Sequence, residues 1–264
     1  MQISFHPQKN LGQHFLKDRN IAKKIVSIAD IKENDCVWEI GPGKGILTEE
    51  LLNKNCFLTV FEIDKKLYPI LEKRFGNKIK LIKNDILKAD WKEIFPKNKI
   101  KIVSNLPFQI TSPFLYKVTK FYEHFSEIVI MVQKEVAMRI NAKSGNKKYG
   151  KLSLKMQYYY NIKYEFTIKP HLFHPPPKVD SAIINLQPRK DKQIIEDEKL
   201  FWKIVKISFK NRRKMLRNNL SELFNNNQFN KLKTISSIEL TRRAESLSEN
   251  EFIKLYQDIS SILA

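Results

Sequence analysis

The chain has 264 residues, with 48 Lys and Arg against 28 Asp and Glu and a formal net charge of +20 at pH 7. This length holds one ordinary domain and a smaller one, and a soluble chain so basic is suited to a polyanion, nucleic acid before an anionic membrane surface. No apolar run nears the roughly 20 residues of a membrane span, the amino terminus lacks the apolar core of a signal peptide, and Cys36 and Cys56 make no disulfide framework, which together fit a reducing cytoplasm.

In chain order, Cys36 to Ile40 reads as a strand that ends in the turn Gly41-Pro42-Gly43-Lys44-Gly45, and Ile46 to Leu52 as a helix. Phe57 to Ile63 is a second strand, ending in Glu62-Ile63-Asp64, and Lys65 to Phe75 has helical spacing. Lys80 to Lys83 is a short strand ending at Asn84-Asp85. Ile100 to Ser104 is a fourth, stopping at Asn105-Leu106-Pro107-Phe108, and Glu127 to Val132 is a fifth. Strands alternating with helices predict a parallel, doubly wound α/β sheet whose ligands lie beyond the carboxyl ends of the strands. Tyr158-Tyr159-Tyr160, Tyr164 to Ile168 and Ser181 to Leu186 read as further strands, antiparallel at one edge. His174-Pro175-Pro176-Pro177 is a stiff segment among them. Charge dominates Arg189 to Glu198, so a linker falls there. The predicted division is residues 1–190 for the sheet domain and 191–264 for an all-helical one, with Phe201, Ile204, Val205 and Phe209 at helical spacing.

The turn at Gly41 to Gly45 suits close approach of backbone to a ligand. Its G-x-G-x-G spacing differs from the G-x-G-x-x-G of pyrophosphate sites. Glu62, at a strand end, can accept hydrogen bonds from two ribose hydroxyls, and Asp85, at the next, one from an adenine amine. An adenosyl ligand without phosphates fits that pair, and S-adenosylmethionine is the expected cofactor. The five histidines lack ligand spacing, so no metal is expected.

Asn105-Leu106-Pro107-Phe108 carries the chemistry. An exocyclic adenine amine is a poor nucleophile because its lone pair is spread into the ring. The Asn105 amide oxygen and the Leu106 carbonyl can accept its N–H groups and localise that lone pair, Pro107 fixes the turn, and Phe108 can stack on the base. Positioning and charge stabilisation suffice for in-line methyl transfer, without a strong base. Phe173, ahead of the proline run, can cover the other face of a base that is extruded or unpaired, although by itself such a phenylalanine is more often core than clamp.

Taken together, these residues resemble the ribosomal RNA adenine dimethyltransferase family. The resemblance begins at Leu11-Gly12-Gln13-His14-Phe15-Leu16 and runs through the Gly loop, Phe61 to Asp64, Asn84-Asp85 and Asn105 to Phe108. It continues in Gln133 to Ala137, Phe173 to Ala182 and Phe209 to Leu216. It implies a Rossmann-like class I methyltransferase sheet with a small carboxy-terminal all-helical domain. It also implies four methyl groups delivered to two adjacent adenosines near the 3′ end of 16S rRNA, within a late assembly intermediate of the small ribosomal subunit. Cofactor contacts carry over to His14, Leu16, Gly41, Glu62, Asp85 and Asn105, and target-base contacts to Asn105, Leu106, Phe108 and Phe173. The family usually has Asn where this chain has His14 and Tyr where it has Phe108. Histidine still donates a hydrogen bond, with a protonation that can tune binding near neutral pH, and phenylalanine keeps the stacking surface.

Lys206 to Arg217 reads as a basic amphipathic helix on which Lys210, Arg213, Lys214 and Arg217 can follow a phosphate backbone. Lys143 to Lys155, with Gly145 and Gly150, reads as a basic mobile loop that orders on RNA. AT-rich coding accounts for part of the Lys excess but not for the Arg clusters. Other functions share parts of this pattern: a large-subunit rRNA or DNA adenine methyltransferase, a non-catalytic RNA-binding assembly factor, and, from the Gly loop alone, a nicotinamide-dependent oxidoreductase. A monomer is the default expectation.

Overall fold

A computed structural model describes residues 11–263; residues 1–10 of the amino-terminal stretch read for a signal peptide, with His6, lie outside the described residues. The chain divides into two compact units. The first holds the described residues up to Ala137 together with Tyr159–Pro188, and the second holds Met138–Tyr158 with Arg189 onward. The second unit thus takes in 138–158, a segment that the sequence reading assigned to the first domain.

In the first unit, β1 (Phe15–Leu16) leads into α1 (Arg19–Ile28), then β2 (Cys36–Ile40), α2 (Ile46–Leu52), β3 (Phe57–Phe61) and α3 (Tyr68–Phe75). β4 (Lys80–Ile82), α4 (Trp91–Ile94), β5 (Ile100–Asn105), α5 (Thr111–Lys120) and β6 (Phe125–Gln133) follow. The chain then passes through α6 (Lys134–Ile140) and α7 (Lys151–Tyr159), and β7 (Tyr160–Ile168), β8 (Phe173–His174) and β9 (Ser181–Pro188) complete the strands. Seven of them form one sheet in the order β4-β3-β2-β5-β6-β9-β7. β4, β3, β2, β5 and β6 run parallel, and β9 and β7 join antiparallel at the edge. Central parallel strands are covered on both faces, so they read as near-continuous apolar runs. β5 (burial of all but its second and last residues) and β6 show this, and every residue of β6 from Glu127 to Val132 is buried.

The parallel order places the ends of β2, β3, β4 and β5 side by side. α1 starts where the Asp18 carboxylate accepts the N–H groups of Asn20 and Ile21, an N-cap that offsets orphan donors by about 1 kcal/mol. α2 starts after Gly45, whose φ of 84° only glycine adopts without strain.

Tyr158 and Tyr159, expected in a strand, instead end α7, and the strand starts at Tyr160. The β-preference of tyrosine gives way to tertiary bonds. The Tyr158 hydroxyl donates to the Gln193 carbonyl at 2.7 Å, and Gln157 donates to the carbonyls of Ile140 and Ala142. β8 pairs with β1, Phe173 opposite Leu16 and His174 opposite Phe15, a ribbon that the sequence reading did not foresee.

The second unit contains α8 (Glu198–Ser208), α9 (Leu216–Leu220), α10 (Asn226–Ile235) and α11 (Glu249–Leu263). The single basic helix expected over 206–217 is therefore two helices with a turn between them. Asn219 is the cause: wholly buried, its amide donates to the carbonyls of Ser208 and Asn211, so the loop carbonyls are satisfied without a helical ladder. Lys143 to Lys155 is also no free loop. Its last part is α7, the Gly145 N–H donates to the Glu245 carbonyl, and Arg212 holds the carbonyls of Lys147 and Tyr149 at 2.7 Å. No helix among the described residues is long and apolar enough to cross a membrane, and none of their His, Cys, Asp and Glu side chains cluster to hold a metal ion.

Candidate active site

A cleft of about 230 Å³ opens at the carboxyl ends of β2 to β5. It brings together His14, Leu16, Gly41, Glu62, Asp85, Asn105, Leu106 and Phe108 from five separated stretches of sequence.

At its floor lies Glu39, 1% exposed and the penultimate residue of β2. Its carboxyl accepts the Thr48 hydroxyl at 2.7 Å, and burial pushes its pKa up to about 8, so at neutral pH it is largely protonated. The Ser104 hydroxyl reaches the Ile40 carbonyl at 2.6 Å, tying β5 to β2 directly below the turn. The Gly41 N–H donates to the Phe61 carbonyl. Gly43, at φ 59°, passes so close to Phe15 that a Cβ there would sit 2.6 Å from the ring. Only glycine permits that approach.

Glu62 is 4% exposed. Its Oε1 accepts the N–H groups of Ile63 and Asp64, both at 2.8 Å, which leaves Oε2 as the second acceptor. Burial raises its pKa to about 7 against the lowering effect of those N–H groups and that of Gly43. Ile63, 49% exposed, and Ile86 give the cleft apolar walls beside Glu62 and Asp85. Gln13 donates to Asp64 at 2.8 Å and joins the segment before β1 to the end of β3. Asp85 accepts the Leu87 N–H on Oδ1 at 2.8 Å.

Asn105 ends β5, and its Nδ2 donates to the His14 carbonyl at 3.0 Å. That bond fixes the amide and presents Oδ1 as its acceptor side. His14 is held in turn, because its Nδ1 lies 2.8 Å from the Pro175 carbonyl and must carry the proton to donate there. The rings of His14 and Phe108 meet with centroids 5.6 Å apart.

Phe173 does not line this cleft. It is 1% exposed and packs in the core with Leu16, Ile168 and Ile183. The reason is strand alternation: β8 turns Phe173 inward and His174 outward, and His174 lines the cleft. The expectation of an aromatic cover over the base from Phe173 is corrected accordingly. His174, Ile63 and Gln13 escaped the sequence reading. Strand parity before the proline run was the available signal for His174; the other two carry none.

Of the basic residues, Arg213, Lys214 and Arg217 are exposed, whereas Lys210 is paired with Glu222 at 2.8 Å. Within the same unit Arg139, Lys151, Lys206, Lys210 and Arg212 border a recess of about 550 Å³.

Comparison with known proteins bears on this geometry. The family model described as ribosomal RNA adenine dimethylase matches residues 4–261. A Mesomycoplasma hyopneumoniae protein named ribosomal RNA small subunit methyltransferase A is 42% identical over 94% of this chain and 95% of its own. Its namesake from Francisella tularensis subsp. novicida is 38% identical, over 98% of this chain and 100% of its own. Among solved structures, a dimethyladenosine transferase from Plasmodium falciparum superposes with a TM-score of 0.79 at 26% identity, covering 94% of this chain and 98% of that one. The 23S rRNA methyltransferase ErmE superposes with a TM-score of 0.70 at 21% identity over 93% and 99%, which shows a shared fold. The sheet is thus that of class I methyltransferases, whose methyl donor is S-adenosylmethionine, and the chain belongs to the ribosomal RNA adenine dimethylase family of methyltransferases.

Proposed function

We propose that this methyltransferase dimethylates two adjacent adenosines in the 3′-terminal hairpin of 16S rRNA, within the small ribosomal subunit, late in its assembly. The Asn105–His14 hydrogen bond carries the chemical part of this reading, because it aims an amide acceptor into the cleft that also holds Glu62 and Asp85. Relatives at 42% identity named for the small subunit support the choice of substrate.

The cleft fits S-adenosylmethionine. Glu62 offers Oε2 to the ribose hydroxyls, Asp85 an acceptor to the adenine amine, and Ile63 and Ile86 apolar walls to the purine. His14, Leu16 and Gly41 complete the enclosure. When bound, the cofactor supplies a methyl group on an electrophilic sulfonium. Asn105 Oδ1 and the Leu106 carbonyl accept the N–H groups of the target amine, which draws its lone pair out of conjugation and toward the methyl carbon. Phe108 stacks on the base, and with Phe173 buried His174 is the side chain of β8 that faces it. The amine proton is lost to solvent after transfer, so no strong base is needed. Arg213, Lys214 and Arg217, with Lys210 once released from Glu222, supply phosphate contacts.

The test is transfer of labelled methyl groups to small subunits from a strain that lacks this modification, with Asn105→Ala as control. N6,N6-dimethyladenosine at two neighbouring 3′-proximal positions is the expected product. Label only on naked large-subunit RNA or on DNA overturns the reading.

A further inference from the structure

Lys117 stands on α5, the helix that follows the Asn105–Phe108 turn, and is half-buried. Its ammonium group donates to three backbone carbonyls of one loop: Ile86 at 3.0 Å, Leu87 at 2.9 Å and Ala89 at 2.8 Å. That uses every donor an ammonium has. Nζ also lies 4.6 Å from the centre of the Trp91 ring, while the Trp91 indole donates to the Ile86 carbonyl at 2.9 Å. Three carbonyls converging on one point need a single multivalent donor, since lone buried carbonyls are costly.

The loop so held is the one that carries Asp85. The Leu87 N–H goes to Asp85 Oδ1 and the Leu87 carbonyl goes to Lys117, while the Asp85 carbonyl accepts the N–H groups of Lys88 and Ala89. Asp85 fastens one side of the loop and Lys117 the other. The direction of the remaining Asp85 oxygen therefore depends on the lysine, although Lys117 itself lines no part of the cleft.

We propose that Lys117 is a positioning residue for cofactor recognition: by tying the 86–89 loop to α5 it holds Asp85 where it reads the exocyclic amine of a 6-aminopurine nucleoside. This rests on the reading of Asp85 given above. The predicted property is discrimination between 6-amino and 6-oxo purines, lost when the loop is released.

The experiment is calorimetric titration of the full-length protein with S-adenosylhomocysteine and with S-inosylhomocysteine, its 6-oxo counterpart. Wild type is expected to prefer the adenosyl ligand by at least about tenfold. Asp85→Asn, which keeps the acceptor for Leu87 and offers an amide N–H to the ligand, reverses that preference. Lys117→Met loses most of it through weaker adenosyl binding, with inosyl binding changed less than about twofold, and Lys117→Arg restores it. No preference in wild type overturns the Asp85 reading, and this inference with it. A wild-type preference that Asp85→Asn reverses but Lys117→Met retains overturns the role of Lys117 alone. Where Lys117→Met does not fold, Lys117→Gln, which keeps two donors, carries the same comparison.

Discussion

The cleft beyond β2 to β5 and the basic loops that flank α9 are both built from irregular chain. Both use side-chain donors on carbonyls, Lys117 and Asn105 around the one and Asn219 and Arg212 in the other, but the cleft adds carboxylates that gather backbone N–H groups. Around the cleft, backbone N–H groups converge on carboxylates: Ile63 and Asp64 on Glu62, and Leu87 on Asp85. In the second unit, side-chain amides and guanidinium groups converge on carbonyls: Asn219 on Ser208 and Asn211, and Arg212 on Lys147 and Tyr149. The first arrangement collects negative charge and unused acceptors where a ligand's donors come. The second consumes cationic donors internally, so fewer of its positive charges face an RNA than a count suggests.

The largest expected effect lies at the point where the cleft does its chemistry. Asn105→Ala should lower kcat by roughly 10³-fold, the scale of losing one preorganised transition-state acceptor. Binding of S-adenosylhomocysteine should fall by less than about tenfold. A kcat within tenfold of wild type would remove Asn105 from the chemistry. The counterpart in the second unit is Asn219→Ala, which should cost about 2–4 kcal/mol of stability by stranding two carbonyls in a buried site, read as a drop in Tm with cofactor affinity unchanged.

This contrast also explains what was legible in the sequence. The Gly loop, Glu62, Asp85 and Asn105 announce themselves because each sits at a strand end, where local pattern and topology suffice. The turn after α8 does not. Phe209 to Arg217 has helical spacing and no Pro or Gly to stop it, and only the distant-facing amide of Asn219 tells it to leave the helix. Phe173 failed for a different reason. Its two-residue strand pairs with Phe15–Leu16, far away in sequence, and that pairing decides which of Phe173 and His174 faces the cleft. Lys210, read as an RNA contact, has Glu222 opposite it for the same kind of reason: nothing in local spacing brings them together.

The cleft's carboxylates predict a pH dependence of stability and of cofactor binding. Glu39 and Glu62 have folded pKa values raised to about 8 and about 7, above the ordinary 4.5. Their contribution to stability is therefore fully present below pH 4.5 and is lost as pH rises through 7 and then 8. The ligand-free protein should lose on the order of 3 kcal/mol between pH 5 and pH 8 through Glu39, and Glu39→Gln, which keeps an acceptor for Thr48, should flatten the fall in Tm. Cofactor binding should run the other way. Ribose hydroxyls donate to an ionised Glu62, so affinity should rise by roughly tenfold from pH 6 to pH 8 and level off, while Glu62→Gln binds more weakly and without that slope. A flat profile in wild type would separate Glu62 from ribose recognition.

The smallest effects, taken one residue at a time, sharpen the comparison most. Each phosphate contact removed from a basic surface lowers the slope of log affinity against log salt by about 0.7–0.9. Arg213→Ala, Lys214→Ala and Arg217→Ala should each show that change with Tm unmoved, because all three side chains are exposed. Arg212→Ala should do the reverse. Its guanidinium is spent on the carbonyls of Lys147 and Tyr149 and on Glu245, so Tm falls and the salt slope barely changes. Lys210→Ala should lie between them, since Glu222 already neutralises it and an exposed pair of this kind is worth less than about 1 kcal/mol. Glu222→Gln should then strengthen RNA binding by freeing that lysine. If all five cations gave equal slopes, the distinction between charges that hold the loops and charges that meet the RNA would fail, and the surface would have to be treated as a uniform positive field.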